Sequence, residues 1–191
     1  MGSKNHCEKL VQKFVDYLNT QNFEAKEPEN IPAALRGPVF ERIPEWFTWK
    51  IVPAADNCWI SDLERKLPRR YPDPFHILIS DYRFCDFQVG PIVFFANTGE
   101  SVFHELAVRA FGDKHMSPFL LQNGYLQFGQ AEDYDPICFA PRGLKDKHES
   151  RIVRLDHEEI LINNRIKMTA EIAPSIEDFM ERTIKGEFGI H

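Results

Sequence analysis

No C-x-x-C pair, glycine-rich phosphate loop, G-x-S-x-G elbow or apolar run of membrane-spanning length occurs in this 191-residue chain. The four cysteines, Cys7, Cys58, Cys85 and Cys138, stand far apart. That spacing argues against zinc ribbons and dithiol redox motifs, and suits small buried side chains in a reducing compartment. Residues 1–10 are polar and hold no apolar signal core, and no stretch approaches the roughly 18 apolar residues that a membrane helix needs. A cytoplasmic protein without a membrane partner is expected. Positive charge is also scarce: 23 Lys and Arg face 29 Asp and Glu, a net charge of -6. No basic stripe offsets it, so nucleic acid is not an expected partner. An acidic balance instead favours encounter with a basic protein surface.

What the chain has is apolar and aromatic content: 43% hydrophobic residues, including 16 Phe and 3 Trp. One domain of this length buries roughly 70% of the surface its unfolded chain would expose, without needing metal or disulfide. Leu10, Phe14 and Leu18, with Val11 and Val15 beside them, predict an amphipathic helix over 5–19. Pro28, Pro32, Pro38 and Pro44 make 24–45 a surface connection without long regular structure. Residues 46–52 read as a strand with Phe47, Trp49 and Ile51 on one face. A short helix with Ile60, Leu63 and Leu67 follows Asn57 and ends at the Leu67–Pro68 step.

Periodicity leaves 75–79 open between helix and strand, whereas 92–95 reads as a buried strand. Asn97 and Glu100 resemble a helix start, followed by Val102, Phe103, Leu106, Ala107 and Ala110 at helical spacing. Beyond Pro118 the pattern predicts strands at 119–122, 125–128, 137–140 and 152–155, with Asn123-Gly124 as a hairpin turn. Ser175 and Asp178 at capping-box spacing predict a terminal helix. The expected fold is therefore α+β: a single domain over 1–191, with a largely antiparallel central sheet, helices packed against it and helices at both chain ends. No internal repeat is present.

Catalytic motifs fail on inspection. His104-Glu105 opens like H-E-x-x-H, but Val108 takes the second histidine position. His157-Glu158-Glu159 has no second histidine within a turn and reads as solvated polar groups at a strand end. Asp133 and Asp135 flank Tyr134, yet no third oxygen ligand is identifiable, and Asp135-Pro136 reads as a turn into a strand. Neither a cofactor nor a metal is expected, and the chain is not expected to be an enzyme.

Several stretches together resemble the SUKH superfamily of cell-wall-assembly regulators and bacterial toxin-immunity proteins. They are Gly124-Tyr125-Leu126-Gln127-Phe128-Gly129, Tyr134-Asp135-Pro136-Ile137-Cys138-Phe139, the run from Ile152 to Leu161, the run from Glu171 to Phe179, and Leu67-Pro68 with Tyr71. The likeness spans 57–185; residues 21–56 depart from it. It implies a mixed sheet with helices packed against it and a role in protein binding, and it carries over no catalytic residues. Two roles follow. An immunity protein would block a basic toxin through an acidic surface, for which Asp133, Tyr134, Asp135, Asp156, Glu158 and Glu159 are the candidates. A scaffold in envelope assembly or signalling would dock through 46–49 and the Pro-rich arm. An enzyme or small-ligand binder is the weaker third reading.

Overall fold

The computed structural model describes residues 2–21, 23–25, 32–39, 47–55, 58–98, 105–141 and 150–190. The opening periodicity forms α1 (Gly2–Leu18), whose Val11, Phe14 and Leu18 are fully buried. Three short strands, β1 (Phe23–Ala25), β2 (Arg36–Val39) and β3 (Phe47–Trp49), pair antiparallel in the order β1-β3-β2. Phe23 stacks on Trp49 at 4.6 Å, and both rings lean on Phe87. This small sheet is thus docked on the core, and the described part of the Pro-rich stretch contributes a strand to it. Pro28, Pro44 and Trp46 lie outside the described residues.

β4 (Val52–Pro53) pairs with β5 (Tyr82–Arg83), and between them lie α2 (Cys58–Glu64) and α3 (Asp73–Asp81). Regular α2 ends at Glu64, earlier than the Leu67–Pro68 step, and backbone bonds from Lys66 and Leu67 carry the chain on as turns. The undecided 75–79 run is helical. Pro74 sits in the first turn of α3, where its fixed φ and missing N–H are tolerated, and Phe75, Leu78 and Ile79 turn inward.

The central sheet is a six-stranded antiparallel meander. Its strands β6 (Phe87–Val89), β7 (Ile92–Phe94), β8 (Leu126–Gln130), β9 (Pro136–Phe139), β10 (Ile152–Leu155) and β11 (Met168–Ala173) lie side by side in sequence order. Between β7 and β8 run α4 (Glu105–Phe111) and α5 (Met116–Gln122). Of the expected helix start at Asn97 and Glu100, Asn97 instead bridges Phe84 antiparallel and its side-chain amide donates to the Ile79 and Tyr82 carbonyls, both at 2.8 Å, while Glu100, Val102, Phe103 and His104 lie outside the described residues. After β10 comes α6 (His157–Asn163), and the chain closes with α7 (Ile176–Ile184). The α+β class, the antiparallel sheet and the helices at both ends are as expected.

Two expectations are corrected. Residues 119–122 belong to α5, and Asn123-Gly124 caps that helix instead of turning a hairpin. The Tyr125 N–H donates to the Leu120 carbonyl and the Gly124 N–H to that of Leu121, both at 3.0 Å, with Gly124 at φ 78. That is a Schellman cap, and it asks for the same left-handed residue that a tight hairpin asks for. The second correction concerns His157, Glu158 and Glu159, which open α6 rather than finish a strand. Asp156 caps this helix by accepting from the Glu159 N–H at 3.0 Å.

The sheet is covered on both faces. One face carries stacked phenylalanines, Phe87 on Phe94 and Phe128 on Phe139, against α1, α3 and α7. The other packs Cys138, Val153 and Leu155 beneath Leu120 of α5 and Ile160 of α6. At the end of the chain Ser175 accepts from the Asp178 N–H at 3.0 Å and so caps α7 as anticipated. Ser175→Ala should cost about 1 kcal/mol in chemical denaturation, and an unchanged midpoint would count against the cap. The two sheet edges differ. β6 is covered by the chain's last turn, where the Gly90 N–H donates to Gly189 at 2.7 Å and Val89 bridges Ile190. Among the described residues β11 has only β10 beside it, and Met168 to Glu171 are all exposed.

Candidate functional site

The turn from β8 to β9 spans residues 131–135. Its Tyr134 N–H donates back to the Ala131 carbonyl at 3.0 Å, and the Ala131 N–H donates to that of Asp135 at 2.8 Å. Tyr134 takes the left-handed conformation, φ 69, and is 70% exposed. An aromatic residue there costs about 1–2 kcal/mol relative to glycine. Nothing in the core requires that ring, so the surroundings must hold the turn.

They do so through Asp135, which is 6% exposed. Its Oδ2 accepts from Arg154 Nε at 2.7 Å, and its Oδ1 accepts the backbone N–H of His157 at 3.0 Å and His157 Nδ1 at 2.8 Å. The second arm of the Arg154 guanidinium holds Asp133. Burial alone would raise the Asp135 carboxyl, but the two bonds from His157 and the Arg154 guanidinium hold it below the usual carboxylate range. Arg154 is pushed up in return, mainly by its bond to Asp135.

Asp156, beside this network, accepts from Lys167 Nζ at 2.9 Å. That bond first, then the Glu159 N–H, lowers its carboxyl. Glu159 lies 3.8 Å from the same ammonium and accepts from Asn163 at 3.2 Å. Glu158 is exposed. The six sequence candidates therefore converge on one region, but as a partly neutralised rim. Asp133 and Asp135 are spent on Arg154, Asp156 and Glu159 on Lys167, and Tyr134 and Glu158 project into solvent. A shallow depression of about 350 Å³ adjoins the rim, lined by Gln88, Gly90, Pro91, Glu132, Asp133 and Arg154.

Sequence reasoning missed Arg154 and read His157 as a solvated group at a strand end, yet these two residues organise this rim. Arg154 carries a signal in hindsight, being a cation inside the apolar strand Ile152-Val153-Arg154-Leu155. A second polar cluster, also missed, lies beside a cleft of about 430 Å³ between α1 and α3. There Glu64 accepts from His76 Nδ1 at 2.8 Å and from Arg70 Nε at 3.2 Å, while the Arg70 guanidinium lies 3.3 Å from His76 Nε2. Both ring nitrogens of His76 are thus engaged within the protein.

The other sequence suggestions fare differently. Trp49 is 2% exposed and belongs to the core, so it offers no docking face. Burial pushes the Cys138 thiol up, and burial with Asp86 and Glu105 nearby pushes the Cys85 thiol up to about 12, which keeps both from reacting as thiolates near neutral pH. No helix among the described residues is long and apolar enough to cross a membrane. Among the same residues, no group of three His, Cys, Asp or Glu side chains is placed to hold a metal ion. No family model and no curated protein matches the chain.

Proposed function

We propose that the chain is a non-enzymatic, cytoplasmic protein-binding domain of the immunity type, which neutralises a basic protein toxin by covering its surface. One observation carries this reading: Tyr134 is held out of the core in a left-handed conformation by a buried, ion-paired turn. Backbone strain maintained by over-determined surroundings is more often found where a surface is used than where it merely closes a turn. A rigid tyrosine offers large contact area at little loss of side-chain freedom, and such residues dominate interface energetics. The rim around it keeps an acidic excess, with Glu132 and Glu158 added to the paired carboxylates, which suits a basic partner.

The scaffold reading shares the binding chemistry but loses part of its docking surface, because Trp49 is buried. The test is capture by the tagged full-length chain from lysate of its native host, followed by assay of whatever is retained. A single stoichiometric protein whose toxicity is blocked by the wild-type chain, but not by Tyr134→Ala, bears out the immunity reading. Several retained assembly or signalling proteins would replace it with the scaffold. Tyr134→Ala should weaken capture roughly thirtyfold, the loss expected on truncating an interface anchor. Glu158→Lys with Glu159→Lys should slow association most at low salt, since exposed charges are screened within about 8 Å at physiological ionic strength. Unchanged affinity in both variants would remove this rim from consideration.

A further inference from the structure

On α6, Ile160 faces the sheet and is buried, whereas Leu161 and Ile162 are 47% and 73% exposed. Glu158 and Ile162 stand one turn apart on the face opposite Ile160, and Leu161 flanks them. Met168, paired with Leu155 across β10 and β11, is 50% exposed on the neighbouring edge. Among the described residues, three large apolar side chains therefore meet solvent at the uncovered β11 edge of the sheet, while the β6 edge is covered by residues 189–190. Charge is laid out around them with a direction. Glu158 lies before the apolar pair and Arg165 after it, both exposed. Neither forms an ion pair among the described residues, whereas Lys167 is engaged by Asp156.

We infer that this face pairs with a second copy of the chain, α6 against α6, about a two-fold axis between Leu161 and Ile162. Glu158 stands in the first turn of α6 and Arg165 just past its left-handed C-cap Asn164, so opposite charges stand at the two ends of the helix that carries Leu161 and Ile162. An antiparallel contact centred there sets the Glu158 of each copy beside the Arg165 of the other and buries both apolar pairs, the self-complementary pattern that a two-fold interface needs. The contact is made by side chains and not by strand addition. The β10–β11 register shifts twice, between Ile152 and Val153 and between Arg154 and Leu155, and Lys167 stands immediately before β11. Bulges and an edge lysine are the means by which sheets refuse another strand.

Sedimentation of the full-length chain alone tests the pairing without any toxin. Glu158 also stands in the proposed toxin-binding rim, so a mass measurement on the isolated chain keeps the two readings apart. A concentration-dependent dimer is expected, and Ile162→Asp, which alters a solvent-facing position, should weaken it at least tenfold. Glu158→Arg or Arg165→Glu alone should weaken it, and the two together should restore it. A chain that stays monomeric up to its solubility limit overturns the inference. So does a dimer indifferent to Ile162→Asp, or a double charge swap that fails to recover the mass. A monomer that instead captures a different protein through Ile162 would assign the face to another partner and likewise overturn the pairing.

Discussion

Phe128→Ala should be the most damaging single substitution in the molecule, at about 3–5 kcal/mol, the cost of emptying a phenylalanine site in a packed core. Domains of this size are stable by about 5–15 kcal/mol, so the variant should unfold at much lower denaturant or fail to accumulate. Phe128 is fully buried at the centre of the sheet, stacked on Phe139 at 4.2 Å, with Phe75 at 5.1 Å and Phe94 at 5.5 Å. Truncation removes the common member of three ring contacts, and neighbours anchored on β7, β9 and α3 cannot all collapse into the space. A double-mutant cycle with Phe139→Leu should show a coupling of about 0.5–1.5 kcal/mol, the excess that aromatic pairs contribute beyond buried area. A loss below about 1 kcal/mol would mean that the site relaxes freely and that the phenylalanine face is not the stabilising core.

The elements legible in the sequence were those whose signal is local and long enough to repeat. α1 and α7 show several apolar positions at helical spacing, α7 with a capping serine, and both form as expected. α5 was misread because Phe119-Leu120-Leu121 is too short to distinguish a period of 3.6 from one of 2, and because Asn-Gly serves helix caps and hairpins alike. Tertiary context decided the matter: Leu120 is drawn into the cluster with Val153 and Ile160 on the second face of the sheet. α6 was overlooked although Asp156 and Glu159 stand at capping-box spacing, the same signal that located α7. Seven residues following a strand offer little periodicity to support it.

The rim was legible in part for a related reason. Acidic side chains near one another in sequence were easily gathered, and 131–135 and 156–159 do meet in space. What joins them is long-range: Arg154 reaches back 19 residues to Asp135, and Asp135 reaches 22 residues forward to His157. A charge count over the sequence treats those carboxylates as free. The fold instead spends them on positioning Tyr134 and starting α6, and this changes which of the six side chains a partner would meet.

Asp135→Ala should therefore do more than remove one negative charge. It leaves Arg154 with Asp133 alone and strips the carboxylate from both His157 donors. Breaking a largely buried ion pair by deleting one partner typically costs about 3 kcal/mol. Arg154 remains about a third exposed and retains one carboxylate, which places the expectation nearer 2 kcal/mol at neutral pH. The pH dependence has a defined sign. Asp135 is held below its ordinary value of 3.8 in the folded state, so its contribution is present above that value and is lost as the pH falls through it toward the folded pKa. Wild type and variant should differ most near neutrality and converge in acid, below about pH 4. Denaturant titrations across that range measure the difference directly. A gap that stays constant from neutral to acid pH would show that Asp135 acts through shape and not through its charge. The turn that presents Tyr134 would then owe its conformation to backbone bonds alone, and partner capture by Asp135→Ala should match wild type instead of falling with Tyr134→Ala.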